Sequence, residues 1–187
     1  MRIIAGQYKH RRFEVPQSFQ ARPTTDFAKE NLFNVLQSYI DFSEEGVRAL
    51  DLFSGTGSIA LELASRGCGE VISIEGKKSH HAFIRKCIAT TGITQINAYC
   101  TDVFRYLKRG NYTPFDFIFA DPPYALAELH TLPDLLTNAP LHPDGLLVLE
   151  HGRSHSFQTH PCFIEEREYG SVHFSFFRHA KAVSAIQ

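Results

Sequence analysis

Residues 47–67 read VRALDLFSGTGSIALELASRG, and this stretch decides the fold. The run VRALDLF has the composition of a buried strand, and SIALELASRG has helical spacing with Gly67 placed to end the helix at C′. Between them, Gly55 and Gly57 let the chain turn sharply and bring its backbone close to a ligand. The helix that follows offers free amide hydrogens. Residues 55–60, GTGSIA, match the dinucleotide-binding pattern G-x-G-x-x-G/A, and Glu75 lies near the spacing of an acid that holds ribose hydroxyls.

Downstream, the pattern repeats. EVISIE (70–75), INAYC (96–100), FDFIFA (115–120) and GLLVLEH (145–151) read as further strands. They alternate with helical stretches at 78–92, at 102–109 and, interrupted near Pro133, at 126–139. Near-continuous apolar strands alternating with helices predict an α/β, Rossmann-like fold with a mostly parallel, doubly wound sheet. Residues 163–177, FIEEREYGSVHFSFF, predict a C-terminal antiparallel hairpin turning at Tyr169-Gly170-Ser171. Upstream, 25–40 places Ala28, Leu32, Val35, Leu36, Tyr39 and Ile40 on one helix face, with Thr25 or Asp26 as cap. RIIAGQYKHRRFEV (2–15) predicts a small N-terminal β-hairpin. The expected organisation is one domain over 1–187: a basic hairpin and loop to residue 25, a core to 179 and a frayed tail.

The 187 residues are 43% hydrophobic, enough for a full core. Net charge is −1, yet Arg2, Lys9, Arg11 and Arg12 crowd the first twelve residues with no acid among them. Such an arm suits phosphate contact, although a solvated surface hairpin fits the charge as well. Cys68, Cys87, Cys100 and Cys162 form no CxxC pair and read as reduced core residues, with no metal site expected. The ten histidines are scattered, and neighbouring His80 and His81 suit packing or surface roles. No apolar run of about 18 residues or signal-peptide stretch is present, so the expectation is a cytoplasmic monomer with no membrane contact.

Glu75 can hold ribose hydroxyls of either NAD or S-adenosylmethionine. Asp102 is placed to accept from an adenine amino group, or to cap the next helix. Asp51, just before the glycine loop, suits a cationic ligand better than an anionic pyrophosphate. The fourth strand then ends in Asp121-Pro122-Pro123-Tyr124, at the sheet edge where α/β ligands bind. An exocyclic amine on a base is a poor nucleophile, because its lone pair is delocalised into the ring. The Asp121 carboxylate and the Pro122 carbonyl offer two acceptors for such an NH2, consecutive prolines stiffen the loop, and Tyr124 can stack on the base.

The segments 51–57 and 121–124 together resemble the class I amino-methyltransferases. RIIAGQYKHRRFEVP (2–16) and RPTTDFAKENLFNVL (22–36) narrow this: the chain resembles the RsmD family, bacterial 16S rRNA guanine-N2 methyltransferases, from Arg2 to near Phe177. The resemblance implies S-adenosylmethionine as cofactor, held by Asp51, Phe53, Gly55, Gly57, Glu75, Asp102, Val103 and Thr25. It implies catalysis by Asp121, Pro122, Pro123 and Tyr124, and 16S rRNA or the small ribosomal subunit as partner. Lys9, Arg11, Arg12, Arg22 and Thr24 would contact substrate. The chain departs from the family at His10, where glycine is usual, at Phe27, where an arginine is usual, and at Lys77, where Asp or Asn is common. Rival readings are a DNA adenine-N6 or protein-glutamine methyltransferase, an NAD-dependent oxidoreductase and a non-catalytic ribosome-assembly protein.

Overall fold

Five apolar strands alternate with helices: β1 (Arg48–Leu52), β2 (Glu70–Glu75), β3 (Ile96–Cys100), β4 (Phe115–Ala120) and β5 (Leu141–His151). β6 (Phe163–Tyr169) and β7 (Val172–Phe177) follow. In the computed structural model, which describes residues 1–19, 25–138 and 140–179, they form one sheet ordered β3-β2-β1-β4-β5-β7-β6. β1 to β5 pair in parallel; β7 runs antiparallel to β5, and β6 antiparallel to β7. This is the Rossmann-like class I arrangement expected from the alternation, with the hairpin at one edge.

Because strand side chains alternate between faces, the central strands feed two cores. On one face Ala49, Phe117, Phe119, Phe174 and Phe176 meet α1 (Asp26–Leu36), α2 (Ser58–Ser65) and α3 (Lys78–Thr91). On the other, Leu50, Leu52, Ile118, Leu147 and Phe177 meet α4 (Val103–Leu107), a 3-10 turn (Ala127–Thr131) and α5 (Leu132–Asn138). The punctuation follows from local chemistry. Thr25 caps α1 by accepting from the Ala28 amide at 3.1 Å, and Gly92 ends α3 at φ +76°. β5 begins four residues earlier than its apolar run suggested, because Leu141 pairs with Phe115 across an irregularity in register.

The N-terminal segment forms the expected hairpin in a minimal form, with residues 1–3 antiparallel to 11–13. Its β-pairing amounts to a single bridge between Arg2 and Arg12, supported by Ile3 N to Arg11 O (2.9 Å) and Phe13 N to Met1 O (2.9 Å). Further amides are directed at α2. Ile4 N and Ala5 N donate to the Glu62 carboxylate (2.8 and 3.0 Å), and Gln7 N and Tyr8 N donate to Ser65 (2.7 and 3.0 Å). A Cβ at Gly6 would lie 1.8 Å from the Ser65 carbonyl, so only glycine permits this approach. His10 sits at φ +71°, a left-handed geometry that strains any residue with a side chain. The glycine usual there in the resembled family fits it. His10→Gly is therefore expected to stabilise the protein by about 0.5–1 kcal/mol, after the extra entropy of unfolded glycine is subtracted. Urea denaturation of the two proteins checks this.

The cysteines need one correction. All four are free thiols, but only Cys68 and Cys87 are buried; Cys100 is exposed and Cys162 half-buried. Cys100 ends β3, an edge strand with one side open, so an apolar neighbourhood in sequence did not mean a core position. His80 is buried with its ring stacked on Phe19 at 4.1 Å, and His81 pairs with the Ala98 carbonyl. Among the described residues no helix is long and apolar enough to cross a membrane, and no His, Cys, Asp and Glu side chains are grouped to hold a metal ion. The expected tail from residue 180 lies outside the described residues.

Candidate active site

Strand order reverses between β1 and β4, and ligands of open α/β sheets bind at the carboxyl ends beside such a reversal. A cleft of about 720 Å³ opens there. Its walls come from the ends of β1, β2, β4 and β5, the loop after β3 and the β6–β7 turn. Thr25, Asp51, Phe53, Gly55, Glu75, Asp102, Val103 and Asp121 through Tyr124 all line it.

The glycine loop is wound through three left-handed residues, Phe53 (φ +58°), Gly55 (φ +54°) and Gly57 (φ +72°). Ser54 pins it, donating from its hydroxyl to the Asp51 carbonyl at 2.8 Å, while Gly57 N closes the turn onto Ser54 O at 2.7 Å. Gly57 itself does not line the cleft. A Cβ there would come within 2.9 Å of Ile84 Cγ1, so this glycine serves packing of the loop on α3. Glu75 is buried at the end of β2, with Oε2 accepting from Gly55 N (2.7 Å) and Oε1 from Lys77 N (2.7 Å). Each oxygen keeps a second lone pair for a ligand donor. Asp102 is the cap of α4, with Oδ1 accepting from Arg105 N at 2.9 Å, and the residue also lines the cleft.

Asp51 is buried, with Ala60 N donating to its carboxylate at 3.2 Å. Burial is the main cause raising its pKa, from 3.8 to about 7; hydrogen bonding by Ser54 and Ala60 lowers it. The folded chain thus binds a proton that the unfolded chain releases, so stability falls as pH rises from about 4 through 7. The effect has an upper bound of roughly 4 kcal/mol. Asp51→Asn is expected to flatten this decline, which thermal unfolding across pH 5–8 measures.

At the end of β4, Asp121 N donates to Leu52 O at 3.3 Å, and Leu126 N closes a turn onto Pro123 O at 2.8 Å. Burial, then the charges of Glu150 and Asp51, hold the Asp121 carboxyl well above the usual carboxylate range. Tyr124 is 42% exposed at the rim. Its hydroxyl donates to Glu150 Oε1 at 3.3 Å, and its ring lies so near Gly152 that a Cβ there would sit 3.0 Å from Cδ2.

Glu150 and the β6–β7 turn are among the contributors missed in the sequence. Glu150 is a buried acid in the run GLLVLEH, and a charge inside an apolar strand was the available signal. The turn Tyr169–Val172 also lines the cleft. It gets there because β7 runs antiparallel to β5, pairing His173 with His151 at the carboxyl end of β5. Conversely, Lys9, Arg11 and Arg12 do not line the cleft: all three are exposed, and Arg11 donates to Thr90 O at 3.2 Å. Arg22 and Thr24 lie outside the described residues. Among the described residues, Asp51, Glu75, Asp102, Asp121 and Glu150 face the cleft against one lysine, Lys77, and no arginine. That charge suits a cationic nucleoside and opposes an anionic pyrophosphate.

A family model described as Conserved hypothetical protein 95 matches residues 1–178. Ribosomal RNA small subunit methyltransferase D of Escherichia coli K12 is 31% identical over 163 residues, 87% of this chain and 80% of that one. The solved structure of a hypothetical protein from Thermus thermophilus superposes with a TM-score of 0.80 at 26% identity, covering 95% of this chain and 99% of that one. A SAM-dependent methyltransferase from Agrobacterium tumefaciens shares the fold at 18% identity, with a TM-score of 0.66 and coverage of 90% and 66%.

Proposed function

Since the chain belongs to the RsmD family of methyltransferases, we propose that it transfers a methyl group from S-adenosylmethionine to the exocyclic N2 amine of a guanine in 16S rRNA, acting in the cytoplasm as a monomer. The observation that carries the reading is the acidic cleft in which Asp121, Pro122, Pro123 and Tyr124 face Glu75 and the glycine loop. The donor set fits the cofactor. Glu75 and its tethered oxygens suit the ribose hydroxyls, Asp102 and Val103 the adenine, and Asp51 with the backbone at Phe53 and Gly55 the cationic end. The cofactor supplies an activated methyl group on a positively charged sulfur.

The chain's own residues then act on the base. The Asp121 carboxylate and the Pro122 carbonyl accept from the amine and fix its lone pair toward the cofactor side of the cleft. Holding a weak nucleophile in one orientation is the effect on which the rate depends. Burial raises the proton affinity of Asp121, so it suits taking up the proton that the methylated amine releases. Tyr124 gives the base a stacking platform at the rim. Phe27, 68% exposed and edge-on to Tyr169 at 6.3 Å, extends that apolar rim where the family usually has arginine. Exposed Lys9 and Arg12 are left to meet RNA phosphates outside the cleft. NAD-dependent chemistry is disfavoured, because it gives the Asp121-Pro122-Pro123-Tyr124 loop in the cleft no role. The test is nucleoside mass spectrometry of small-subunit rRNA from a strain lacking the protein. Loss of one N2-methylguanosine is expected, and unchanged N2-methylguanosine overturns the proposal.

A further inference from the structure

Glu150 has no part in the chemistry above, yet it is buried in the same cleft beside the amine-binding loop. β4 and β5 run parallel with Ala120 opposite Leu149, so Asp121 and Glu150 leave neighbouring strands at one level and face the cleft together. The Tyr124 hydroxyl donates to Glu150 Oε1 at 3.3 Å. A carboxylate has about four lone-pair positions, so it can accept from more than one donor at a time. Two carboxylates side by side form an acceptor–acceptor face. The pairing edge of guanine is its complement, with N1–H and N2–H donors adjacent. Adenine instead presents a donor beside the N1 lone pair, which a carboxylate repels.

We propose that Glu150 accepts the N1–H of the target guanine while Asp121 holds its N2 amine, making Glu150 the residue that selects guanine over bases lacking an N1 proton. This rests on the guanine-N2 reading above. Two adjacent acids, Glu150 buried and Asp121 half-buried, resist carrying charge together, and two N–H donors from one base edge relieve that repulsion. The Asp121 carboxyl is held high partly by Glu150, as such a pair requires. The same Glu150 steadies the Tyr124 ring, whose face lies against Gly152, so the stacking platform and the edge reader form one unit. Reading an unstacked base through its pairing edge while stacking it on an aromatic ring is a general mode of base recognition.

The test uses small-subunit rRNA carrying guanine or 2-aminopurine at the mapped methylation position, joined by splinted ligation and assembled into particles. 2-Aminopurine keeps the reacting amine and lacks the N1 proton. The wild type is expected to favour guanine by at least about tenfold in kcat/KM, since sites built around a hydrogen bond reject analogues that lack it. In Glu150→Gln the guanine rate falls about tenfold, while the amide can donate to N1 of 2-aminopurine, so the preference shrinks toward unity. Equal wild-type rates on both substrates overturn the proposal, as does a Glu150→Gln protein that loses rate equally on both. The wild-type comparison stands alone if the variant does not fold, which cofactor-binding calorimetry detects. A wild type that places no methyl on guanine N2 overturns the parent reading and this inference together. Rapid guanine methylation without a base preference overturns this inference alone.

Discussion

Asp121→Ala is expected to lower methyl transfer about 1,000-fold while leaving cofactor affinity and RNA binding nearly intact. The side chain is the half-buried acceptor at the mouth of β4, and its backbone amide is held by Leu52 O at 3.3 Å. Alanine keeps that backbone contact and removes only the carboxylate. The amine then loses the group that orients it and the base that takes its proton, effects that together cost about 10²–10⁴ in rate. The proposed cofactor residues Glu75, Gly55 and Asp102 stand on β2, the loop after β1 and the loop after β3, so their geometry is independent of the change. Removing an acid near Asp51 also relieves repulsion, so thermal stability should hold or rise. Labelled methyl transfer, with calorimetry for the cofactor, separates chemistry from binding. A non-catalytic assembly protein would show no transfer in the wild type, and hence no difference between the two proteins.

Glu62→Ala is expected to destabilise the fold by about 3–5 kcal/mol, a drop of roughly 10 °C in Tm. Glu62 is 0% exposed in α2, and its oxygens accept from Ile4 N (2.8 Å), Ala5 N (3.0 Å) and Arg66 Nε (2.8 Å). Lys29 Nζ lies 3.9 Å away and also donates to Arg2 O (2.6 Å) and Ser58 Oγ (2.9 Å). Alanine strands a buried ammonium and two amides at once. Burial already lowers the Lys29 pKa and Glu62 opposes that shift, so the variant should lower it further. Glu62→Gln retains an acceptor and should cost less. Ser58 lines the cleft, so the damage reaches from the N-terminal arm to the glycine loop, and cofactor affinity should weaken with stability. Denaturant titration and cofactor calorimetry on the three proteins test both statements.

Strand and helix order was legible because the buried strands are apolar runs bounded by glycines. β2, β3 and β4 fall on the segments read from composition alone, and the turn at Tyr169-Gly170-Ser171 joins β6 to β7. The cleft was legible through its chemical punctuation: glycines after β1, an acid after β2 and prolines after β4. What escaped depends on tertiary pairing. A basic, β-prone start read as a hairpin, but nothing local showed that the amides of Ile4, Ala5 and Tyr8 are claimed by Glu62 and Ser65, residues some sixty positions away. Gly57 looked like part of the ligand loop, and only the approach of Ile84 shows what its missing side chain permits. Glu150 lay inside the strand-like run 145–151 with no sign of a role until register with β4 placed it beside Asp121. The turn over the cleft followed from the antiparallel direction of β7, which no local pattern encodes.

The central claim is methylation of a guanine amine in 16S rRNA by this cleft. Its most direct test supplies purified protein with methyl-labelled S-adenosylmethionine and two substrates, naked small-subunit rRNA and assembled particles from a strain lacking the protein. Digestion to nucleosides then identifies the labelled base. The expected result is label in N2-methylguanosine at a single position, absent with Asp121→Ala. Label in N6-methyladenosine, or none in either substrate, would contradict it.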